Sequence, residues 1–255
     1  MIKKYFYHCC FLVFISVVNF SIDAKSSPVS ELNSKDILIK NVYIINGLGD
    51  LRKEGSVRIS GETIKSVGNL DETPGDIVID GNGLILAPGF IDTHSHHDKD
   101  LVIEASAAAA ISQGITTIVR GMDGFQSLPY KTQNASGLDE TGFISLARYS
   151  NFFDSHPIAI NVASFSAHNS IRSQVMGKDY KREASEDEIT RMQDLVALDM
   201  QAGAYGLSTG LEYDPGIYSS TKEVIALAKV AANYGGKYKS HIRSEDRYYW
   251  QAVNE

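Results

Sequence analysis

Cysteine is almost missing: the 255 residues hold two, Cys9 and Cys10, adjacent and close to the N-terminus. A disulfide framework is therefore excluded. Clustered positive charge is missing as well. The chain has 24 Lys and Arg against 31 Asp and Glu, a formal charge of −7, and no basic block beyond isolated pairs. A nucleic-acid-binding face needs such clusters, so nucleic acid is not an expected partner. No internal repeat or low-complexity stretch occurs. With 43% hydrophobic and 22% charged residues, 21 Gly and 6 Pro, the composition is that of a packed globule. Collagenous, coiled-coil and disordered chains are excluded.

One long uncharged run stands at the start. Lys3 and Lys4 precede Tyr5–Ile22, which holds no charge and includes the apolar run Phe11–Val18. Asp23-Ala24-Lys25-Ser26 then turns polar. A cationic start, an apolar middle and a small residue before a polar stretch describe a secretory signal peptide over residues 1–24, cleaved after Ala24. Eighteen uncharged residues also sit at the lower limit for an anchor, a reading that His8, Asn19 and the serines weaken. The expected protein is exported, periplasmic or secreted, with no membrane attachment after cleavage and no cysteine left.

Residues 25–35 read as a flexible lead-in. Four β-rich segments follow, at 36–46, 56–60, 63–67 and 76–80, with turn signals at Gly47/Gly49, Gly61-Glu62 and Gly81-Asn82-Gly83. They predict a small antiparallel unit over 36–83, which at this size needs something to pack on. From Leu84 the rhythm changes. Strands at 84–91, 115–120, 158–163, 205–208 and 237–242 alternate with helices at 102–113, 143–153, 186–201 and 221–233. Ser185 and Glu188 stand in capping-box register at the third helix. Alternating strands and helices imply parallel βαβ units. About five are present over 84–255, where a closed (β/α)8 barrel needs eight.

The chemistry-bearing residues sit where these strands end. Pro88-Gly89-Phe90-Ile91-Asp92-Thr93-His94-Ser95-His96-His97-Asp98 closes an apolar strand with His-x-His. Residues two apart on a strand point the same way, so His94 and His96 aim at one point, on the rim where a barrel carries its site. Two convergent imidazoles suit zinc or a similar divalent metal; the plainer reading is a polar strand end. His97 faces away and reads as structural. Asp98 is either an orienter of the histidines or a solvated acid. His241 ends the fifth strand on the same rim. Alone it reads as an ordinary polar residue; with the pair it becomes a third imidazole. Lys239, facing the same way, is a weaker candidate as a carbamylated bridge between two metals.

The segment 88–96 resembles the first-strand signature of the amidohydrolase superfamily. Gly206-Leu207-Ser208-Thr209-Gly210-Leu211-Glu212-Tyr213, 235–245, Asn161-Val162-Ala163-Ser164, Ala167-His168 and Val175-Met176-Gly177 resemble, more narrowly, the N-acyl-D-amino-acid deacylase (D-aminoacylase) family. The resemblance implies an α/β fold: an incomplete (β/α)8 TIM-type barrel of about five units, preceded by a small N-terminal β-sandwich segment. It implies one or two zinc ions held by His94, His96 and His241. It further implies hydrolysis of the amide of a small-molecule N-acyl-D-amino acid or D-residue dipeptide, with Tyr213 touching substrate or merely packing the Asp214-Pro215-Gly216 loop. In the family a cysteine ligand follows the second strand; here Gly121-Met122-Asp123-Gly124 places Asp123 there, as a metal ligand or as a turn residue. The chain also stops before the family's sixth-strand histidine and eighth-strand catalytic aspartate, so no catalytic residue is assigned. The missing half is expected either on another chain or not at all, and the alternatives are a secreted, inactive metal-binding fragment or a cyclic amidase of the hydantoinase or dihydroorotase type.

Overall fold

A computed structural model describes the backbone of residues 11–13 and residues 35–99, 101, 103–126 and 145–255. The expected leader and lead-in lie outside the described residues, apart from Lys35 and the backbone strand β1 (Phe11–Val13). The chain divides into two compact units, Met1–Phe90 and Ile91–Glu255.

The first unit is a mixed six-stranded sheet. Strands β2 (Ile37–Ile44), β3 (Lys53–Ser60) and β4 (Thr63–Gly68) run antiparallel, as their alternation predicts. Strands β5 (Ile77–Asp80) and β6 (Ile85–Pro88) instead run parallel to β2, and β1 pairs antiparallel with β6. The expectation of a wholly antiparallel unit is therefore corrected. So is its end after residue 83: the Ile85–Pro88 run, read as the opening of the barrel, extends this sheet through Tyr43 and Ile44. Its apolar content alone could not assign it to either sheet. The buried residues Ile39, Val42, Val57 and Leu86 form the core.

An ion pair ties the unit together. Arg58 Nη2 lies 2.6 Å from Asp76 Oδ2, and Thr73 N–H donates to the same oxygen at 2.8 Å. The guanidinium and this amide hold the Asp76 carboxyl at about 2, against an ordinary value of 3.8. A depressed carboxylate stabilises the folded state above its unfolded value and loses that contribution as pH falls towards the folded one. Thermal melts are accordingly expected to shift downward below about pH 4. Asp76→Asn should flatten that part of the profile; an unchanged acid limb in the variant would contradict this assignment.

The second unit alternates strand and helix. Strands β7 (Phe90–Asp92), β8 (Ile115–Arg120) and β9 (Asn161–Ser164) form one three-stranded sheet, and β10 (Ser166–Ala167), β11 (Gly206–Gly210) and β12 (Lys237–His241) another. The β8/β9, β10/β11 and β11/β12 pairs are parallel. Around Phe165 the two sheets join: Phe165 N–H donates to Arg120 O at 3.0 Å and Tyr205 N–H to Ser164 O at 2.9 Å. The strand ends of both sheets thus lie along one path.

Among the described residues six helices connect or follow the strands: α1 (Ala108–Ile111), α2 (Leu146–Ser155), α3 (His168–Met176), α4 (Glu186–Gln201), α5 (Thr221–Asn233) and α6 (Tyr249–Asn254). Helix α4 begins at Ser185 with the predicted capping box to Glu188. It buries Ile189, Met192, Val196 and Met200 along one stripe, the spacing of an amphipathic helix, each contributing roughly 1.5–3 kcal/mol. The helix expected over 102–113 shortens to α1. Ala107 before it is left-handed (φ 46°), and Glu104 accepts from Ser106 N–H in a local turn. Helix α3 has no counterpart among the sequence expectations, because its buried face is polar: His168, Asn169 and Arg172 accompany Ile171 and Met176. No helix among the described residues is long and apolar enough to cross a membrane.

Candidate metal centre

The tight turn after β8 sets the geometry. Gly121 (φ 76°), Asp123 (φ 53°) and Gly124 (φ 74°) are all left-handed, a conformation open to glycine and tolerated by aspartate. Side chains could not replace either glycine without a clash. A Cβ on Gly121 would meet Phe165 O at 2.4 Å, and one on Gly124 would meet Asn169 Oδ1 at 2.4 Å. The turn projects the Asp123 carboxylate across to the segment after β7. There His94 Nε2 and His96 Nε2 each lie 3.1 Å from the same oxygen, Asp123 Oδ2. Asp92, at the end of β7, caps that segment by accepting from His94 N–H at 3.1 Å.

At the end of β12, His241 Nδ1 faces the second carboxylate oxygen, 3.8 Å from Asp123 Oδ1. The other side of that ring is occupied: His241 Nε2 lies 2.9 Å from Glu212 Oε2. Glu245 Oε1 is 3.7 Å from the same nitrogen. A carboxylate on one imidazole nitrogen leaves the other free to bind metal and fixes the ring, so Nδ1 is the donor His241 can offer. Tyr213 packs against this ring, with centroids 4.5 Å apart, and its hydroxyl lies 3.2 Å from His241 Nδ1. Desolvation and the charges of Asp123, Glu212 and Glu245 raise the Tyr213 phenol above its ordinary value of 10.0, so it remains a hydrogen-bond donor at neutral pH.

Three of the four expected ligands, His94, His96 and Asp123, are thus brought together; His241 reaches this group only through Asp123 and forms a second carboxylate–imidazole group with Glu212 and Glu245, with Tyr213 beside it. Ligand atoms of His94, His96 and Asp123 all lie within 4.8 Å of one another. A nitrogen, nitrogen and oxygen set this close fits one zinc ion, whose bonds are about 2.0–2.2 Å long. One expectation is corrected. Asp98 is neither an orienter nor solvated: it is buried, and Arg120 Nε donates to its Oδ2 at 2.8 Å. His97 is exposed, in a 3₁₀ turn over His97–Lys99. Lys239 donates to Thr93 O at 2.9 Å, a backbone tie between the two histidine-bearing segments. Glu212 and Glu245 are the residues around His241 that sequence reasoning passed over. Both lay within quoted motifs, but only the fold shows which imidazole nitrogen they face.

Behind the rim lies a second, fully buried group. His168 Nε2 is 2.8 Å from Glu223 Oε1, and Arg172 Nη1 donates to Glu223 Oε2. Arg172 also donates to the carbonyls of Tyr180 and Tyr218, both at 3.3 Å. Burial works to raise the Glu223 carboxyl, but His168 and Arg172 outweigh it and hold it below its ordinary value. This group locks α3 to the start of α5.

Comparison with known proteins identifies the family. The family described as "Amidohydrolase family" matches residues 77–237. An N-acyl-D-glutamate deacylase of Alcaligenes xylosoxydans xylosoxydans is 38% identical over 226 residues, 86% of this chain and 46% of the relative. A D-aminoacylase of the same organism is 33% identical over 227 residues, 86% of this chain and 47% of the relative. Among solved structures, the N-acyl-D-glutamate deacylase from Bordetella bronchiseptica, complexed with zinc and a phosphonate mimic of the tetrahedral intermediate, matches with a TM-score of 0.77 and 34% identity. That match covers 87% of this chain and 48% of that one. The chain spans about half the length of these relatives.

Proposed function

The chain belongs to the amidohydrolase family, and from that premise we propose that it serves the zinc-dependent hydrolysis of the amide bond in N-acyl-D-amino acids. The observation that carries this reading is the convergence of His94 Nε2 and His96 Nε2 on one oxygen of Asp123, with His241 and Tyr213 on the same rim. The names of the relatives support the substrate class, and the zinc bound in the Bordetella bronchiseptica structure supports the metal.

In this reading His94, His96, Asp123 and His241 hold the cation, and Glu212 fixes the His241 ring. Zinc, when bound, lowers the pKa of water and polarises the carbonyl of the scissile amide. Tyr213 supplies a neutral O–H donor at the edge of the site. Aimed at the amide carbonyl, that donor strengthens as negative charge grows on oxygen, which lowers the barrier more than it aids binding. The carboxylate that would take the water's proton is not assigned to any residue of this chain.

The same reading carries the finer architecture: a β-sandwich segment containing the first sheet, and about five units of a (β/α)8 barrel in the second unit. It also carries residues 1–24 as a signal peptide and an exported location.

The test is an assay of the zinc-loaded protein on N-acetyl-D-amino acids, their L-enantiomers and hydantoin. Turnover confined to the D-series is expected. Tyr213→Phe should lower kcat by about 10- to 1000-fold with zinc content unchanged. Hydantoin cleavage alone would remove the deacylase reading, and retained zinc without any turnover would assign the chain to the inactive metal-binding alternative.

A further inference from the structure

We propose that Asn169, which lies behind the metal centre rather than in it, is the positioning residue that clamps the Asp123 turn against the Glu212–Tyr213 turn and thereby sets metal affinity. The inference rests on the metal-binding reading above.

Asn169 is the second residue of α3 and is fully buried. Its amide is paired at both ends with a single residue of β11: Gly210 N–H donates to Oδ1 at 3.3 Å, and Nδ2 donates to Gly210 O at 2.9 Å. The side chain thus copies one rung of a sheet ladder, and the two bonds fix which end is oxygen. His168 Nδ1 lies 3.2 Å from the same oxygen, which ties the amide to the Glu223 group behind it.

Three glycines close around this amide. A Cβ on Gly124 would meet Asn169 Oδ1 at 2.4 Å and one on Gly216 would meet it at 2.6 Å, while a Cβ on Gly210 would strike Asp123 O at 2.1 Å. Gly124 follows Asp123 directly. Gly210 begins the turn that carries Glu212 and Tyr213, and Gly216 closes it. No side chain can separate the two turns, and the Asn169 amide fills what lies between them. The next residue extends the grip: Ser170 Oγ accepts from Gln126 N–H at 2.9 Å, two residues past Gly124. The first turn of α3 therefore holds the Asp123 turn from behind, while Gly210 N–H and C=O set its distance to Tyr213.

A metal donor must be held within about 0.5 Å of its working position, and partners behind the ligands typically change metal affinity by about 10- to 100-fold. Asn169→Asp keeps the shape but sets a carboxylate oxygen against Gly210 O in place of the N–H donor. It is expected to raise the zinc dissociation constant about 10- to 100-fold, measured by competition with a chromogenic chelator, and to change the visible spectrum of the cobalt-loaded protein. Met192→Ala, a truncation in the core cluster that includes Ile171, Val196 and Leu227, is expected to lower Tm while leaving zinc affinity unchanged. If Asn169→Asp behaves like Met192→Ala, with lower Tm and unaltered zinc affinity and cobalt spectrum, the residue is only structural and the proposal fails. The unaltered protein provides a second measurement: the Asn169 side-chain amide resonance should be slow to exchange and should shift on addition of zinc alone. An unshifted resonance would also overturn the proposal. His94→Ala separates the two levels. If zinc affinity does not depend on His94, the metal reading itself is wrong; if it does and Asn169→Asp leaves it intact, only the clamp is wrong.

Discussion

Asp123→Asn is expected to raise the zinc dissociation constant by about two orders of magnitude while leaving the melting temperature of the zinc-free protein nearly unchanged. The magnitude follows from the division of labour in the site. Four-ligand zinc sites bind with roughly 10–16 kcal/mol, or about 3 kcal/mol per ligand, and about 1.4 kcal/mol is tenfold. Asp123 is the carboxylate shared by both Nε2 atoms, at 3.1 Å from each, so its loss removes a donor and the negative charge opposite the cation. Asparagine is the informative replacement because it tolerates the left-handed backbone (φ 53°) that the turn requires. Unaltered zinc affinity would reduce Asp123 to the turn residue that its neighbour Gly124 also suggests.

Glu223→Gln is expected to destabilise the fold by about 3–5 kcal/mol, because it removes the negative partner of two buried groups at once. His168, Arg172 and Glu223 all have side chains with 0% exposure. Burial raises the Glu223 carboxyl, His168 and Arg172 lower it, and the lowering prevails. With the folded value depressed, the stabilisation is present above the unfolded value of 4.5 and lost as pH falls through the folded value. At neutral pH the full effect should appear as a fall in Tm of about 10 °C or more for a chain of this size. Urea denaturation with the midpoint moved and the slope retained would identify the change as one of stability. A Tm within about 2 °C of the parent would show that the group contributes little net free energy, as some buried ion pairs do.

Much of the site was legible in the sequence because it depends on local rules. The His-x-His that follows an apolar strand marked His94 and His96 as a pair, although both lie past the end of β7 at Asp92 and the turn, not the strand period, brings them onto Asp123; the end of β12 carries His241. The position of Asp123 followed from the resemblance of its turn to a family motif. What was not legible depends on contacts between distant segments. The role of Glu212 requires knowing that His241 Nε2 comes within 2.9 Å of it. The burial of Asp98 depends on Arg120, twenty-two residues away. Helix α3 escaped a search for apolar period because it buries an ionic group and an amide instead of a stripe of aliphatic residues. In the first unit the alternation of β2 to β4 was plain, whereas β5 and β6 carry no mark of their parallel pairing. Strand direction is fixed by the path of the chain between strands, and short apolar runs do not encode it.

In the proposed centre His94, His96, His241 and Asp123 gather around one cation. X-ray absorption at the zinc edge of the protein loaded with one equivalent of zinc tests it most directly. The expected spectrum shows a first shell of nitrogen and oxygen only, at about 2.0–2.2 Å, with the outer-shell scattering of three imidazoles and one imidazole fewer in His94→Ala. A first shell without imidazole scattering, or a spectrum that His94→Ala leaves unchanged, would contradict it.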